Sequence, residues 1–377
     1  MNPRVRVAHI APGLAGNLLI LGSLALGGGL AALAPEHHYR AVQEDGYVEW
    51  ASFWAFALAA AAFMAAASRE RRSANRVPWF ALCLGAFCCF VALEEISWGQ
   101  RVIGFRPPAL FLERNFQQEL NFHNILPNRY RKLAVEFVIL TYGVLLPLAS
   151  QMRRVGPWFE RRGALAPPFA LVPAFAVMLG VYAWYPWDFT GEWVELALGL
   201  AFLFAASGGA RRDDARWREH PARGGSRIVV ASLAVIGLGT TTAILQSTRA
   251  SSDPARVAAA RAELSALSAD LTHLLTGNRC GIHKRLYTLA SDRGWDTPHA
   301  GQLANLAAQG VPQARIQYLL DPWNSPYWLR DRCVDQAEGQ RLAYVYSFGP
   351  NRRRDSNARG IGGDDIGIML ELQRLDE

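Results

Sequence analysis

Two short stretches hold the residues whose types and spacing could do chemistry. Ala92–Arg101 reads Ala-Leu-Glu-Glu-Ile-Ser-Trp-Gly-Gln-Arg and sets Glu94 and Glu95 side by side ahead of Arg101. Asn115–Asn124 places Asn115, Gln117, Glu119, Asn121 and His123 at every second position. Period two predicts an extended segment with one polar edge. The i, i+4 spacing of Asn115, Glu119 and His123 fits one face of a helix equally well. Either geometry presents amides, a carboxylate and an imidazole on one side. Carboxylates with one histidine could bind a divalent metal, act as acid and base, or relay protons. The structural alternative is a polar network in which Arg101 neutralises Glu94 or Glu95. The sequence contains no HExxH pattern, so no diagnostic metal spacing supports the first option.

The elements that must position these groups are long apolar runs. The chain has 377 residues, 51% of them hydrophobic, and the apolar runs concentrate in residues 1–246. A membrane span needs about 20 mostly apolar residues. Candidates lie at 11–33, 49–67, 79–97, 133–150, 167–184, 192–209 and 228–246, which predicts an α-helical membrane bundle of about seven spans. The first could instead be a signal peptide, since Arg4 and Arg6 precede an apolar run ending in Ala32-Leu33-Ala34. Pro35 after that point opposes cleavage, so an uncleaved anchor is expected. The net charge of +7 does not indicate a nucleic-acid partner, because the basic residues gather in short loops between apolar runs. Segments 1–10, 68–78, 151–166 and 210–227 carry two, four, four and six arginines, whereas 34–48 and 185–191 carry one and none. The positive-inside bias then puts the N-terminus in the cytoplasm and the C-terminal part outside. The loop 98–132 departs from the bias, with five arginines and one lysine.

That topology brings further polar groups to the outer rim. Glu49 begins the second span, Glu94 and Glu95 end the third, and Asp188, Glu192 and Glu195 surround the start of the sixth. A lone carboxylate facing hydrocarbon is costly. Glu94, Glu95, Glu119, His123 and Glu192 are therefore expected in one cluster with Asn115, Asn121, Gln100 and Arg101. The loop must then fold back, with Phe116, Leu120 and Phe122 on apolar surface. His37 and His38, in the first outer loop, are expected in solvent. Cys83, Cys88 and Cys89 read as packing residues of the third span. Cys280 and Cys333 are the two cysteines of the outer part, where an oxidising compartment favours a disulfide.

The C-terminal part has ordinary soluble composition. Asp253-Pro254 opens a helix with apolar residues at Val257, Leu264, Leu267, Leu271 and Leu274–Leu275, and Gly277 ends it. Three later segments carry a resemblance. Asp321-Pro-Trp-Asn-Ser-Pro-Tyr327 resembles the D-P-W-G-x-P-Y turn of the type II secretion major pseudopilins, the protein G family. Tyr344-Val-Tyr-Ser-Phe-Gly-Pro-Asn351 is similar to their Y-x-x-Y-S-L-G-A-D strand and turn, and Gly362-Gly-Asp-Asp-Ile366 to the end of their calcium loop. The resemblance covers about 228–377 and implies an α+β pseudopilin-like extracytoplasmic domain, hence a division into 1–227 and 228–377. It also implies calcium, for which Ser347, Asn351, Asp355, Asp364 and Asp365, with Ser356 and Asn357, offer oxygens. Asn351 stands where the family has aspartate, and Arg352, Arg353 and Arg354 oppose a cation. Gly225-Ser-Arg-Ile-Val-Val-Ala-Ser-Leu lacks the glutamate that prepilins carry five residues into the helix, so release into a filament is not expected. Residues 45–205 resemble a group of bacterial multi-pass proteins with an E-E-x-S-W-G-Q-R stretch followed by N-x-Q-x-E-x-N-x-H-N, a likeness that implies no activity.

Two functions follow as expectations. One is a tethered pseudopilin-like module with an interaction or assembly role toward envelope or secretion components. The other is a membrane enzyme or transporter working at the Glu/His rim, with or without a divalent metal.

Overall fold

The structure is a computed structural model. It describes residues 3–43, 45–74, 77–115, 118–209, 222–249, 253–268, 271, 283–293, 300–335, 340–352, 354–356 and 360–370. Cys280, Gly277, Phe116, Gln117, Arg353 and Asn357, with the roles expected of them, lie outside that set, and Arg101 and Cys333 are described in their backbone alone. No disulfide occurs among the described residues, and Cys83, Cys88 and Cys89 are free. The chain forms two compact units. One is Met1–Trp98 with Asn121–Ala243, and the other is Gly99–Leu120 with Ile244–Glu377.

The first unit is helical. Its elements are α1 (Pro3–Leu33), α2 (Pro35–Ala41), α3 (Tyr47–Ala74), α4 (Trp79–Glu95), α5 (Asn128–Gln151), α6 (Val172–Trp184), α7 (Thr190–Gly209) and most of α8 (Ala222–Arg249). Among the described residues, five segments are long and apolar enough to cross a membrane: Gly13–Leu33, Tyr47–Arg72, Asn128–Gln151, Thr190–Ser207 and Ile228–Gln246. The third and fifth runs read from the sequence make shorter helices. Helix α4 has 17 residues, about 25 Å at ~1.5 Å per residue, against a hydrocarbon core of about 30 Å. Pro78 sets its start, and a left-handed turn at Ser97–Gly99 ends it. Helix α6 extends to 16 residues only when the preceding turn from Phe169 is included.

Helix α3 packs against α4 on one side and α7 on the other. Ala55, Ala59, Ala197 and Ala201 are fully buried along these contacts, and Phe56, Phe63, Phe202 and Phe204 fill the layers between them. Small residues permit close approach where no hydrophobic drive separates helix from solvent. The α3–α4 hairpin puts the start of α3 and the end of α4 at one rim. Helix α5 carries a π-helical segment, Ile139–Leu145, where Tyr142 stacks on Phe202 at 4.7 Å.

The second unit is built on an antiparallel sheet of order β1-β2-β3-β4, with β1 His283–Arg285, β2 Trp328–Asp335, β3 Gln340–Ser347 and β4 Ile366–Leu370. The two-residue alternation sorts its faces. Leu329, Ala343, Val345 and Leu370 share a core with Ala260, Leu264 and Leu267 of α9 (Pro254–Ser268). Trp328, Tyr344, Tyr346 and Phe348 form a second layer with Ile361. Helix α9 begins as expected, with Asp253 Oδ1 accepting from Arg256 N at 3.2 Å. The segment Gly99–Leu120 belongs to this unit through specific contacts. Leu112 is fully buried with Tyr318 and Leu320, Arg285 Nη1 donates to Asn115 O at 2.7 Å, and Asn324 Nδ2 donates to Gly104 O at 3.3 Å.

Candidate functional site: a carboxylate–histidine rim and an acidic loop

The rim begins with a backbone that turns the wrong way. Ser97 and Trp98 have φ of 47° and 55°, values that L residues rarely adopt. The turn folds the Trp98 indole back so that Nε1 donates to Glu94 Oε1 at 2.6 Å. The other Glu94 oxygen accepts from Phe122 N at 2.7 Å and His123 N at 3.0 Å, and faces His123 Nδ1 at 3.3 Å. Asn121 Nδ2 donates to Ser97 Oγ at 3.3 Å and holds the same strand of loop to the turn. Glu94 is thus buried and fully engaged, while the His123 side chain remains 36% exposed. A carboxylate on Nδ1 favours the tautomer that carries its proton there, which leaves Nε2 as the free base.

A second group of carboxylates adjoins this dyad. The charges acting on Glu95 are those of Glu195, Glu192, Glu49 and Glu94. Glu195 in turn feels His123 and Arg131, and Arg131 Nη1 donates to Asn124 Oδ1 at 3.2 Å. Glu192 and Glu195 come from the first turns of α7, Glu49 from the first turn of α3, and Glu94 and Glu95 from the last turn of α4. Besides Ser97 and Trp98, three other non-glycine residues among those described in this unit have positive φ: Asp45, Tyr185 and Phe189, all in rim loops. Strained backbone concentrated at one end of a bundle is the pattern of a functional site.

Glu94, Glu95, Glu192 and His123 therefore come together. Glu119, with Asn115 and Gln100, belongs to the second unit. There Asn115 Nδ2 donates to Glu119 O at 2.6 Å, and Gln100 Oε1 accepts from Leu120 N at 2.7 Å. The amides satisfy the backbone of their own segment, which is neither strand nor helix around residues 118–123. Phe122 meets Phe90 and Trp98 at 6.4 Å each while remaining half-exposed. Glu49 and Glu195 join the rim from the helix starts where the sequence reading puts them, while Trp98 and Arg131 are members that it does not include. His38 departs from expectation, being 4% exposed and stacked on Trp193.

The acidic loop lies in the second unit. Asp355, Asp364 and Asp365 bring one ligand oxygen each within 4.8 Å of the others, the one such trio among the described residues. Gly363, at φ 60°, makes this possible, since a Cβ there would meet the Asp355 carboxylate at 2.3 Å. Asn351 Nδ2 donates to Asp355 Oδ2 at 2.8 Å and also to Asp364. Asp365 Oδ2 accepts from Ser356 N at 2.7 Å, whereas its buried Oδ1 has no hydrogen-bond partner among the described residues. Burial raises the pKa of Asp365 to about 7 and that of Asp364 to about 6. An orphaned carboxylate oxygen beside two further carboxylates fits a hard cation with oxygen ligands. Ser347 is committed elsewhere: its Oγ donates to Asp321 Oδ2 and accepts from Gly349 N at 2.9 Å.

Asp321 anchors the turn before β2. Its Oδ1 accepts from Trp323 N at 2.9 Å and Ser325 N at 2.8 Å, and burial raises its pKa to about 6. At the turn's other end Tyr327 OH donates to Glu263 Oε2 at 2.8 Å, and Arg315 pairs with the same buried carboxylate. Compared with protein-family models, curated proteins and solved structures, the chain matches none.

Proposed function

We propose that this chain is a multi-pass protein of a bacterial inner membrane that carries out acid–base chemistry at the rim of its helical unit, as an enzyme or a proton-coupled transporter. The observation that carries the reading is the Glu94–His123 dyad beside Glu95, Glu192, Glu195 and Glu49. A histidine base with an orienting carboxylate, next to carboxylates that receive and pass protons, is the equipment of general acid–base catalysis or proton relay. In this reading α4 and α6 complete seven spans, the N-terminus is cytoplasmic and the second unit is extracytoplasmic. The test is complementation of a deletion strain by full-length variants. His123→Gln and Glu95→Gln should each abolish function with normal protein levels. If both complement while removal of residues 253–377 does not, the rim is structural.

The acidic loop supports a further role for the second unit as a tethered, calcium-holding pseudopilin-like module that engages envelope or secretion components. Asn351, Asp355, Asp364 and Asp365 would hold the ion, which would fix the loop across the Trp328–Tyr346 layer. Calcium should raise the unfolding temperature of the full chain, and Asp365→Asn should remove that response. A response that survives in Asp365→Asn would place the ion elsewhere.

A further inference from the structure

The first helix carries a second feature of the membrane unit, unrelated to the acid–base cluster. Two indoles pack onto its Gly27–Gly28 step. A Cβ on Gly27 would come within 2.5 Å of the Trp193 ring, and one on Gly28 within 3.1 Å of the Trp187 ring. Helix α2 lays His38 over Trp193, with ring centroids 6.3 Å apart and planes 16° from parallel, and Phe189 lies 6.5 Å from the same imidazole. Thr190 fixes the turn that supplies Trp187, accepting from Trp187 N at 3.3 Å and donating to Trp187 O at 2.5 Å.

Three ring nitrogens of this nook, His38 Nε2, Trp187 Nε1 and Trp193 Nε1, are buried without a hydrogen-bond partner among the described residues. His38 and Trp193 are 4% and 3% exposed. Buried polar atoms are nearly always paired, so three orphans on a stacked imidazole–indole pair and the indole packed on the adjacent glycine point to acceptors from outside the chain. An indole N–H can only donate, and His38, kept neutral by burial, offers Nε2 as a donor when Nδ1 is bare. The acceptor is uncharged, because the Asp188 carboxylate, next to Trp187 in the turn that Thr190 closes, repels an anion. Helix α1 exposes Leu26, next to Gly27, and Leu33, and the end of α6 just before the Trp187 turn exposes Trp184 and Tyr185. Aromatic residues at a helix end mark the interfacial level of a bilayer, where lipid ester groups reside.

We propose that His38, Trp187 and Trp193 form a lipid site on Gly27–Gly28 that binds the ester carbonyl oxygens of a membrane glycerolipid. The acyl chains lie along the apolar surface of α1, and the headgroup makes no specific contact.

Native mass spectrometry of the delipidated full-length protein tests this. The probes are a diester phosphatidylcholine, its diether analogue with the same chains, and a diester phosphatidylglycerol. The diester lipids should bind alike, and the diether about tenfold more weakly. Trp193→Phe and Trp187→Phe keep the ring and remove the donor, and each should weaken diester binding about tenfold while leaving the diether unchanged. Equal binding of diester and diether, or unaltered diester binding in both variants, would overturn the site. A strong preference for phosphatidylglycerol would overturn the uncharged acceptor. Should Trp193→Phe fail to fold, the ester–ether comparison on the unaltered chain and Trp187→Phe still decide.

Discussion

Glu263 offers the sharpest mutational test of how the second unit is held. It lies on α9 among apolar neighbours, 4% exposed at its side chain, and its Oε2 takes both the Arg315 guanidinium and the Tyr327 hydroxyl at 2.8 Å. Arg315 is itself only 15% exposed and also donates from Nε to Leu320 O at 3.2 Å. Replacing Glu263 by alanine leaves a largely buried guanidinium without its counter-charge and a buried phenol without its acceptor. Breaking such a pair by removing one partner costs about 3–5 kcal/mol. Glu263→Gln retains an acceptor for Tyr327 and should cost less, about 1–3 kcal/mol. For a unit of this size each kcal/mol lowers the melting temperature by about 2–4 °C, so Glu263→Ala should shift it by roughly 6–20 °C. The assay is thermal unfolding of the full chain in detergent, with Tyr327→Phe and the double variant completing a cycle. A coupling energy of about 0.5–3 kcal/mol between Glu263 and Tyr327 is expected. A Glu263→Ala loss below about 0.5 kcal/mol, no larger than that of an ordinary surface change, would refute the pairing.

Three further outcomes follow. With calcium chelated, the second unit should lose stability as pH rises from about 4 to 8: Asp365, Asp364 and Asp321 have folded-state pKa values of about 7, 6 and 6, above their ordinary 3.8, so the stability that comes from their protonated forms is complete below the unfolded value and is lost through the folded one. The Asp365 contribution is of the order of a few kcal/mol at ~1.4 kcal/mol per pKa unit; apo stability that instead rises over this range, followed by thermal unfolding, would contradict the burial. At a hundredfold excess over its Kd, calcium should restore about 2.7 kcal/mol at pH 8. Leu112→Ala, in the segment Gly99–Leu120, should destabilise the second unit by roughly 2–5 kcal/mol, and hydrogen exchange should localise the loss to residues around Tyr318 and Leu320.

Much of this architecture is legible in the sequence because its causes are local. Apolar run length gives the long helices, Asp253-Pro254 gives the start of α9, and the cost of carboxylates near hydrocarbon gathers Glu94, Glu95 and Glu192. What is not legible is long-range. The alternation Asn115–His123 looks like one polar edge, yet the chain divides between Leu120 and Asn121: Asn115 Nδ2 donates back to Glu119 O in the second unit, and Asn121 Nδ2 donates to Ser97 Oγ in the first. The left-handed turn at Ser97–Trp98, which brings Glu94 to His123, has no signature, since neither residue favours positive φ. Two helices are shorter than their apolar runs because the left-handed turn ends α4 early and because α6 starts only after Pro167 and Pro168. His38 reads as a loop histidine because nothing nearby in sequence announces Trp193, which reaches it across more than 150 positions.

The central claim is that His123 is a base held ready by Glu94. Its most direct measurement is the 15N NMR spectrum of His123 in the full-length protein in lipid bilayers, read between pH 7 and 8. The geometry predicts that the neutral form of the ring carries its proton at Nδ1 and leaves Nε2 bare, with Glu94→Gln shifting that form toward the other tautomer. A ring protonated at Nε2 in the unaltered protein, or a spectrum indifferent to Glu94→Gln, would contradict it.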